Sequence, residues 1–396
     1  MNKIGIITDD LTGTMTCGVL LASVGIKASS YFDPQNLENS EDQEAIIISA
    51  ESRNLPPEQA KKQVKQAYSA LKAKGATYFT KRIDTTFRGG MGFEVDALIE
   101  ELPNDTIVIM APAMPDTHRI VVGGYSIIDS TILAESAASR DVLSPVHESH
   151  IPTLISSQSK YKVSEIHIDT VKKGLEAIQQ ALEEKKHQQC KIIVIDALTT
   201  DHLGEIAKAV YALKWNVVCV DPGAFTQQLA LLRGFGRKNR SGFDKQLRPV
   251  IENYNGKVVV IAGSATDVTR SQITQLMHEP YSLTLSINPL ELFEHSLETN
   301  DSLEALIKTG VSMLNDAGKR VFIIETAVTN GTFSLADVET RYHLPKGDAS
   351  RKINHYLGHI IHSILEQATQ PVHGIYMTGG ATLVTSMKAL GAAGIQ

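Results

Sequence analysis

Short apolar runs, each broken by a polar turn and followed by a helical stretch, constrain the fold of this chain most. Lys3-Ile4-Gly5-Ile6-Ile7 runs into Thr8-Asp9-Asp10-Leu11-Thr12-Gly13. Thr77-Tyr78-Phe79-Thr80 runs into Lys81-Arg82-Ile83-Asp84-Thr85-Thr86-Phe87-Arg88-Gly89-Gly90. Short continuous apolar runs mark strands buried on both faces, and helices between them make the sheet parallel. Ligands in open parallel sheets bind beyond the carboxyl ends of the strands. Both turns place acids and hydroxyls there, and the second adds fixed cations.

The alternation continues along the chain. After the first turn comes a helix with Met15, Val19 and Leu20, for which Thr12 is the expected cap. The strand Ala45–Ser49 leads to Glu51-Ser52-Arg53. Pro56-Pro57 opens a helix that carries Val64, Tyr68 and Leu71 and stops at Gly75. A helix through Glu94, Val95, Leu98 and Ile99 and a strand at Ile107–Met110 follow. Residues 111–165, with Pro112, Pro115, Pro145, Pro152 and Gly123-Gly124, break the pattern and read as a long irregular, functional or lid-forming stretch. Lys191–Ile195, a helix to Leu213 and Val217–Val220 resume it, and Trp215 is expected in the core. A polar Gly-rich tract, Gly234 to Gly242, marks a boundary within 226–254. A second unit starts at Lys257 and continues through Arg320–Ile324 and His373–Met377. The expected class is α/β, with two domains, 1–230 and 250–396, whose mainly parallel sheets face a central cleft.

Composition narrows the partners. A chain of 396 residues exceeds one ordinary core. Its net charge of −6 offers no basic excess for a polyphosphate backbone, so no nucleic acid partner is expected. No apolar run approaches a membrane span, and the start lacks the basic and apolar regions of a signal peptide. No membrane partner and a cytoplasmic setting are therefore expected, with a homo-oligomer left open. Cys17, Cys190 and Cys219 are odd in number and show no metal spacing, which predicts buried thiols. His355, His359 and His362 share a helix face, but Tyr356 stands where a zinc helix carries glutamate, so an exposed or core-edge stripe is expected.

The turns themselves point to chemistry. A helix cap needs one acid, so the adjacent pair Asp9-Asp10 leaves one carboxylate for ligand hydroxyls. Lys81, Arg82, Asp84 and Arg88 are densely placed, and Arg forms bidentate pairs with carboxylates and phosphates. Gly89-Gly90 permits close backbone approach, and Arg53 is a further candidate contact to a carboxylate. His147 and His150 flank Glu148-Ser149 and can reach the same ligand. Acids and guanidinium groups together suit a small hydroxylated anion, a sugar acid. In the second unit, Gly263-Ser264 precedes a helix near Thr266-Asp267, and Thr378-Gly379-Gly380-Ala381-Thr382 precedes another. Such strand–turn–helix joins offer free N–H groups and a positive dipole end to phosphate, and two in one domain point to a nucleotide. No P-loop is present, and Gly90-Met91-Gly92 is not followed by the glycine of a dinucleotide fingerprint.

These motifs, with Ala111-Pro112-Ala113-Met114-Pro115, Arg140-Asp141-Val142-Leu143-Ser144-Pro145-Val146 and His150-Ile151-Pro152, resemble the four-carbon acid sugar kinase family over nearly the whole chain. The resemblance implies an N-terminal sugar-acid domain and a C-terminal nucleotide domain. It implies ATP, with Mg²⁺, phosphorylating threonate, erythronate or a 3-oxo-tetronate at a terminal hydroxyl. By position, Asp9, Asp10, Arg53 and Lys81, Arg82, Ile83 and Asp84 look like substrate contacts, joined by Arg88. Asp10 or Asp84 is the expected proton acceptor. Ser264, Gly379, Gly380, Ala381 and Thr382 look like ATP contacts, and Mg²⁺ ligands stay unassigned. The family pattern has an acid at Ala381, Ser-Thr-Leu at Thr85-Thr86-Phe87, and a further strand beyond Gln396, so a shortened nucleotide domain is expected. A nicotinamide-dependent sugar-acid dehydrogenase and a non-catalytic sugar-acid sensor are the rival readings.

Overall fold

The computed structural model describes residues 2–35, 37, 42–141, 143–236, 256–293, 301–331 and 333–395. The expected boundary tract from Arg237 to Gly242 lies outside them. The chain divides into two compact units, Met1–Leu247 with Ala393–Gln396, and Arg248–Ala392. Ala393 to Ile395 thus group with the first unit.

Strands of the first unit, in chain order, are β1 (Lys3–Thr8), β2 (Ala28–Tyr31), β3 (Ala45–Ser49), β4 (Ala76–Arg82), β5 (Ile107–Met110), β6 (Arg119–Val122), β7 (Tyr125–Ile128), β8 (Thr131–Ile132), β9 (Val163–Ile166), β10 (Ile192–Ile195) and β11 (Val217–Asp221). Its helices are α1 (Leu11–Ser23), α2 (Pro57–Ala73), α3 (Met91–Ile99), α4 (Ile151–Ser156), α5 (Ile168–Val171), α6 (Leu175–His187), α7 (Thr200–Leu213) and α8 (Ala224–Leu232). The second unit contributes β12 (Lys257–Ala262), β13 (Ser282–Ser286), β14 (Val321–Glu325) and β15 (Val372–Thr378), before β16 (Gly394–Ile395) returns to the first. Its helices are α9 (Asp267–Met277), α10 (Asp301–Asn315), α11 (Leu335–Arg341), α12 (Asp348–Gln367) and α13 (Gly380–Ala389).

The main sheet has the order β16-β2-β3-β1-β4-β11-β5-β10-β9. Every pairing is parallel except β16 with β2. The period of two sends alternate side chains to opposite faces. Ile46, Ile48, Val108, Met110, Ile192 and Val194 meet Val64, Tyr68 and Leu71 of α2 and Val95 and Leu98 of α3. Ala45 and Ile47 face Cys17 and Leu21 of α1. Ile107, Ile109, Ile193 and Ile195 face Leu203 and Ile206 of α7. Each fully buried aliphatic side chain contributes about 1.5–3 kcal/mol. The chain leaves β1 for β2 and β3 on one side and returns to β4 on the other. The carboxyl ends of β1 and β4 therefore flank a topological switch point.

Three expectations are corrected. Residues 111–165 are not irregular throughout: β6, β7 and β8 form a three-stranded antiparallel sheet. Ile120, Val121 and Val122 pair with Ile127, Ser126 and Tyr125, and Gly123-Gly124 turn the first hairpin with φ of 58° and 75°. The cap of α1 is Asp10, whose extended backbone and carboxylate suit it, while Thr12 lies inside the helix. Trp215 packs at the rim of the core, half-buried, with Lys186 Nζ 4.2 Å from its ring centroid. All three cysteines are buried and free.

The second sheet has the order β13-β14-β12-β15, all parallel. Val259, Ile261, Phe322 and Ile324 face a core with Leu357, Ile360 and Ile361 of α12. Val260, Ala262 and Ile323 pack with Ile273 of α9 on the other side. The strand β13 and the helix α6 escaped the sequence reading, because Ser-Leu-Thr-Leu-Ser is largely polar and α6 is mostly polar. Among the described residues no helix is long and apolar enough to cross a membrane.

Candidate functional site

The site of the first unit grows from three strand ends. β1 ends at Thr8 and delivers Asp9 and Asp10; β3 ends at Ser49 and leads to Arg53; β4 ends at Arg82 and leads to Asp84 and Arg88. Arg53 joins them. Its Nε donates to Asp9 Oδ2 at 2.7 Å, its Nη1 lies 2.8 Å from Asp10 Oδ2, and its Nη2 lies 3.8 Å from Asp84 Oδ1. Arg82 Nη1 reaches Asp9 Oδ1 at 3.3 Å and Asp10 Oδ1 at 3.4 Å. Arg88 Nε donates to Asp84 Oδ2 at 2.7 Å and its Nη1 to Asp141 Oδ2 at 3.1 Å.

Strand β4 runs two residues further than its apolar run, and that decides which predicted residues meet. Arg82 points to the α1 side, where Gly13 leaves it room: a Cβ there would sit 2.0 Å from Arg82 Nη1. Lys81 and Ile83 point to the α3 side. Ile83 is fully buried in the core below α2 and α3. Lys81, also buried, sits 2.9 Å from Glu94 Oε2 and donates to the Arg82 carbonyl at 3.0 Å. Six of the eight predicted substrate residues therefore form one network, and these two lie beneath it.

Two carboxylates of this network differ in basicity. Burial, and then the neighbouring charge of Asp9, push the Asp10 carboxyl above its ordinary value, outweighing Arg53, Arg82 and the Gly13 N–H. Burial acts the same way on Asp84, but the hydrogen bond from Arg88 and the charges of Arg53 and Arg88 overcome it and hold Asp84 well below the usual range. Asp10 also accepts from Gly13 N at 2.8 Å as the cap of α1. Arg88 is the most open of the three arginines, its side chain 30% exposed against 12% for Arg53 and 5% for Arg82. Arg82 Nε is buried without a partner among the described residues.

Beside the network opens a cavity of about 360 Å³, lined by Arg53, Phe87, Gly89, Phe93, Ser144 and His147 among others. His150 lies elsewhere, 3.2 Å from Glu165 Oε2. A wider groove of about 780 Å³ runs along α2, but its Lys61 and Lys65 are paired with Glu58 and Glu100. Sequence reasoning missed Asp141 and Glu94 as members of the site's surroundings. The signal for Glu94 was an acid, one of two with Asp96, inside Met-Gly-Phe-Glu-Val-Asp-Ala-Leu-Ile, a helix whose other residues are apolar enough to be buried.

In the second unit the two predicted turns touch. Gly263 N donates to the Thr378 carbonyl at 3.1 Å, and a Cβ on Gly263 would lie 1.9 Å from Thr382 Oγ1. Ser264 is half-buried, and Gly380 and Ala381 are exposed at the start of α13. Thr382 turns inward and donates to Asn354 Oδ1 at 2.7 Å. The α13 N-cap, Gly379, offers no side-chain acceptor, whereas Thr266 caps α9 and Asp267 adds an acid to its first turn. The start of α13 is thus the better anion end. An adjoining cavity of about 150 Å³ is lined by Gly263, Ala265, Thr326, Ala327, Phe333 and Asn354, among others. His355 and His359 are exposed, and His362 lies 3.6 Å from Glu366 Oε2. Among the described residues no group of three or more His, Cys, Asp or Glu is placed to hold a metal ion.

Comparison with known proteins matches each part of the chain to a family. Residues 4–229 match the sugar-binding N-terminal domain family, and residues 259–396 match the nucleotide-binding C-terminal domain family. The D-erythronate kinase of Heliobacterium modesticaldum is 32% identical, over 100% of this chain and 87% of that protein. The D-threonate kinase of Salmonella typhimurium is 26% identical, over 99% of this chain and 87% of its own length. The 3-oxo-tetronate kinase of Haemophilus influenzae is 27% identical, over 79% and 72%. A solved structure from Salmonella typhimurium LT2 shares the fold with a TM-score of 0.78 at 24% identity, covering 100% of this chain and 89% of that one. The chain belongs to the four-carbon acid sugar kinase family.

Proposed function

We propose that this protein is an ATP-dependent kinase that phosphorylates a four-carbon sugar acid (erythronate, threonate or a 3-oxo-tetronate) at its terminal hydroxyl. The observation that carries the reading is the carboxylate–guanidinium network at the β1/β4 switch point. Arg88 receives the substrate carboxylate, since it is the most exposed arginine of the network and guanidinium binds carboxylate in a bidentate manner. Asp10 accepts the proton of the attacking hydroxyl, because its environment makes it the more basic acid. Asp84, held ionised, anchors Arg88 and Arg53.

ATP would bind at the second unit, where the N–H groups of Gly380, Ala381 and Thr382 are available to its phosphates and the apolar side chains of Phe333 and Ile353 to its base. Mg²⁺, an ion that ordinarily keeps several waters, would supply charge neutralisation at the phosphates when bound. Phosphoryl transfer asks the protein mainly for positioning and charge neutralisation. Dependence on ATP favours a cytoplasmic setting.

Coupled ADP release with a panel of four-carbon acids tests the reading. Turnover with at least one acid, dependent on Mg²⁺, supports it. Binding of an acid with no ADP release would favour a sensor, and acid-dependent reduction of NAD(P)⁺ a dehydrogenase.

A further inference from the structure

The pair Lys81–Glu94 is a buried charge pair that touches no proposed ligand. Lys81, Glu94 and Ser52 are each about 1% exposed. Glu94 Oε2 accepts from Ser52 Oγ at 2.9 Å and lies 2.9 Å from Lys81 Nζ. Lys81 Nζ also donates to the Arg82 carbonyl at 3.0 Å. Burial pushes the Glu94 carboxyl up, and Lys81 is the main influence drawing it back. Such a pair is weak support for stability, since apolar residues of similar volume often replace one at no loss. An acid near the start of α3 would serve the helix dipole equally well on the exposed face.

What the pair does hold is the loop that carries Arg53. Ser52 N donates to the Asp9 carbonyl at 3.0 Å and Arg53 N to the same carbonyl at 3.3 Å. On the far side the Arg53 carbonyl is backed by Gly89, where a Cβ would sit 2.9 Å away. The loop is thus fixed by its backbone to β1 and by one hydroxyl to α3.

We propose that Glu94 is a positioning residue: neutralised by Lys81, it grips Ser52 and so sets the guanidinium of Arg53 across Asp9, Asp10 and Asp84. The idea deepens the proposed function, and rests on it for the effect on turnover. The hydrogen bond to Ser52 matters, and the charge of Glu94 does not.

Two double variants separate these roles without leaving a buried charge alone. Lys81→Met with Glu94→Gln keeps an acceptor for Ser52, whereas Lys81→Met with Glu94→Leu removes it. Ser52→Ala is the third variant, deleting only the hydroxyl. Amide hydrogen exchange is read at Ser52 and Arg53, and KM is read separately for acid and ATP. The Leu variant and Ser52→Ala should exchange these two amides about tenfold faster, the effect of one lost hydrogen bond. They should raise the KM for the acid by about the same factor, with the KM for ATP unchanged. The Gln variant should keep exchange of these two amides within about twofold of the wild type. Equal exchange in Ser52→Ala and the wild type would overturn the proposal, as would a Gln variant behaving like the Leu variant. Exchange needs no substrate, so a wild type that turns over no acid would sink the kinase reading and still leave this test standing.

Discussion

Asp10 carries two duties that one substitution can separate. Its carboxylate caps α1 and, as proposed, takes the hydroxyl proton. Asn caps as well as Asp, so Asp10→Asn should keep its melting temperature while kcat falls by about 10²–10⁴-fold. Asp10→Ala should lose the cap too, costing about 1 kcal/mol in denaturant melts. The pH profile follows from the sign of the shift. A base must be deprotonated to act, and burial beside Asp9 raises this carboxyl. The acid limb of kcat/KM should therefore lie above the ordinary aspartate value, with rate lost as pH falls through it. In Asp10→Asn that limb should vanish. A limb in the variant at the same pH would assign it to another group.

At the scale of elements, helix α1 and strand β4 meet through a glycine. Helix propensity alone favours Gly13→Ala by about 1 kcal/mol. The Cβ would sit 2.0 Å from Arg82 Nη1, however, with Asp10 Oδ1 at 2.8 Å. Overpacking of this kind costs about 1–3 kcal/mol, so the variant should melt lower than the wild type; a higher melting temperature would show that Arg82 moves freely. A second tie joins α2 and the end of α3, where Glu100 lies 2.7 Å from Lys65 Nζ and 2.6 Å from Lys160 Nζ. The hydrogen bonds from Lys160 and then Lys65 lower Glu100 to about 2. Its stabilisation is present above the unfolded glutamate value and fades as pH falls toward the folded one. Glu100→Gln should cost about 0.5–1 kcal/mol near neutral pH, an upper figure for a tie so open to solvent, and about nothing near pH 2. The elements themselves were legible because both faces of the sheet are buried, which leaves unbroken apolar runs such as Ile46 to Ile48 and Ile107 to Met110. The site was legible as residue types but not in its sides. Nothing in Lys81-Arg82-Ile83 says where the strand ends, and period two then sends Lys81 and Arg82 to opposite faces. Asp141, far along the chain on a turn of its own, left no local mark of its link to Arg88.

At the scale of the whole chain, the proposed function gives each unit its own half of the chemistry. A four-carbon acid should slow exchange of amides in the loops after β1, β3 and β4, and a non-hydrolysable ATP analogue those at the starts of α9 and α13. Protection of the first unit by the nucleotide alone would argue against the assignment. The return of β16 to the first sheet could not be read from Gly394-Ile395, because two residues pair by register with Ser30 and Tyr31 and not by pattern. The central claim, that the chain moves a phosphoryl group onto a sugar acid, is met most directly by phosphorus NMR of a reaction containing enzyme, MgATP and erythronate, threonate or a 3-oxo-tetronate. The account predicts a new phosphomonoester on the terminal carbon, formed with ADP in equal amount and about 10²–10⁴-fold more slowly with Asp10→Asn. Inorganic phosphate as the only product, or an ester on another carbon, would contradict it.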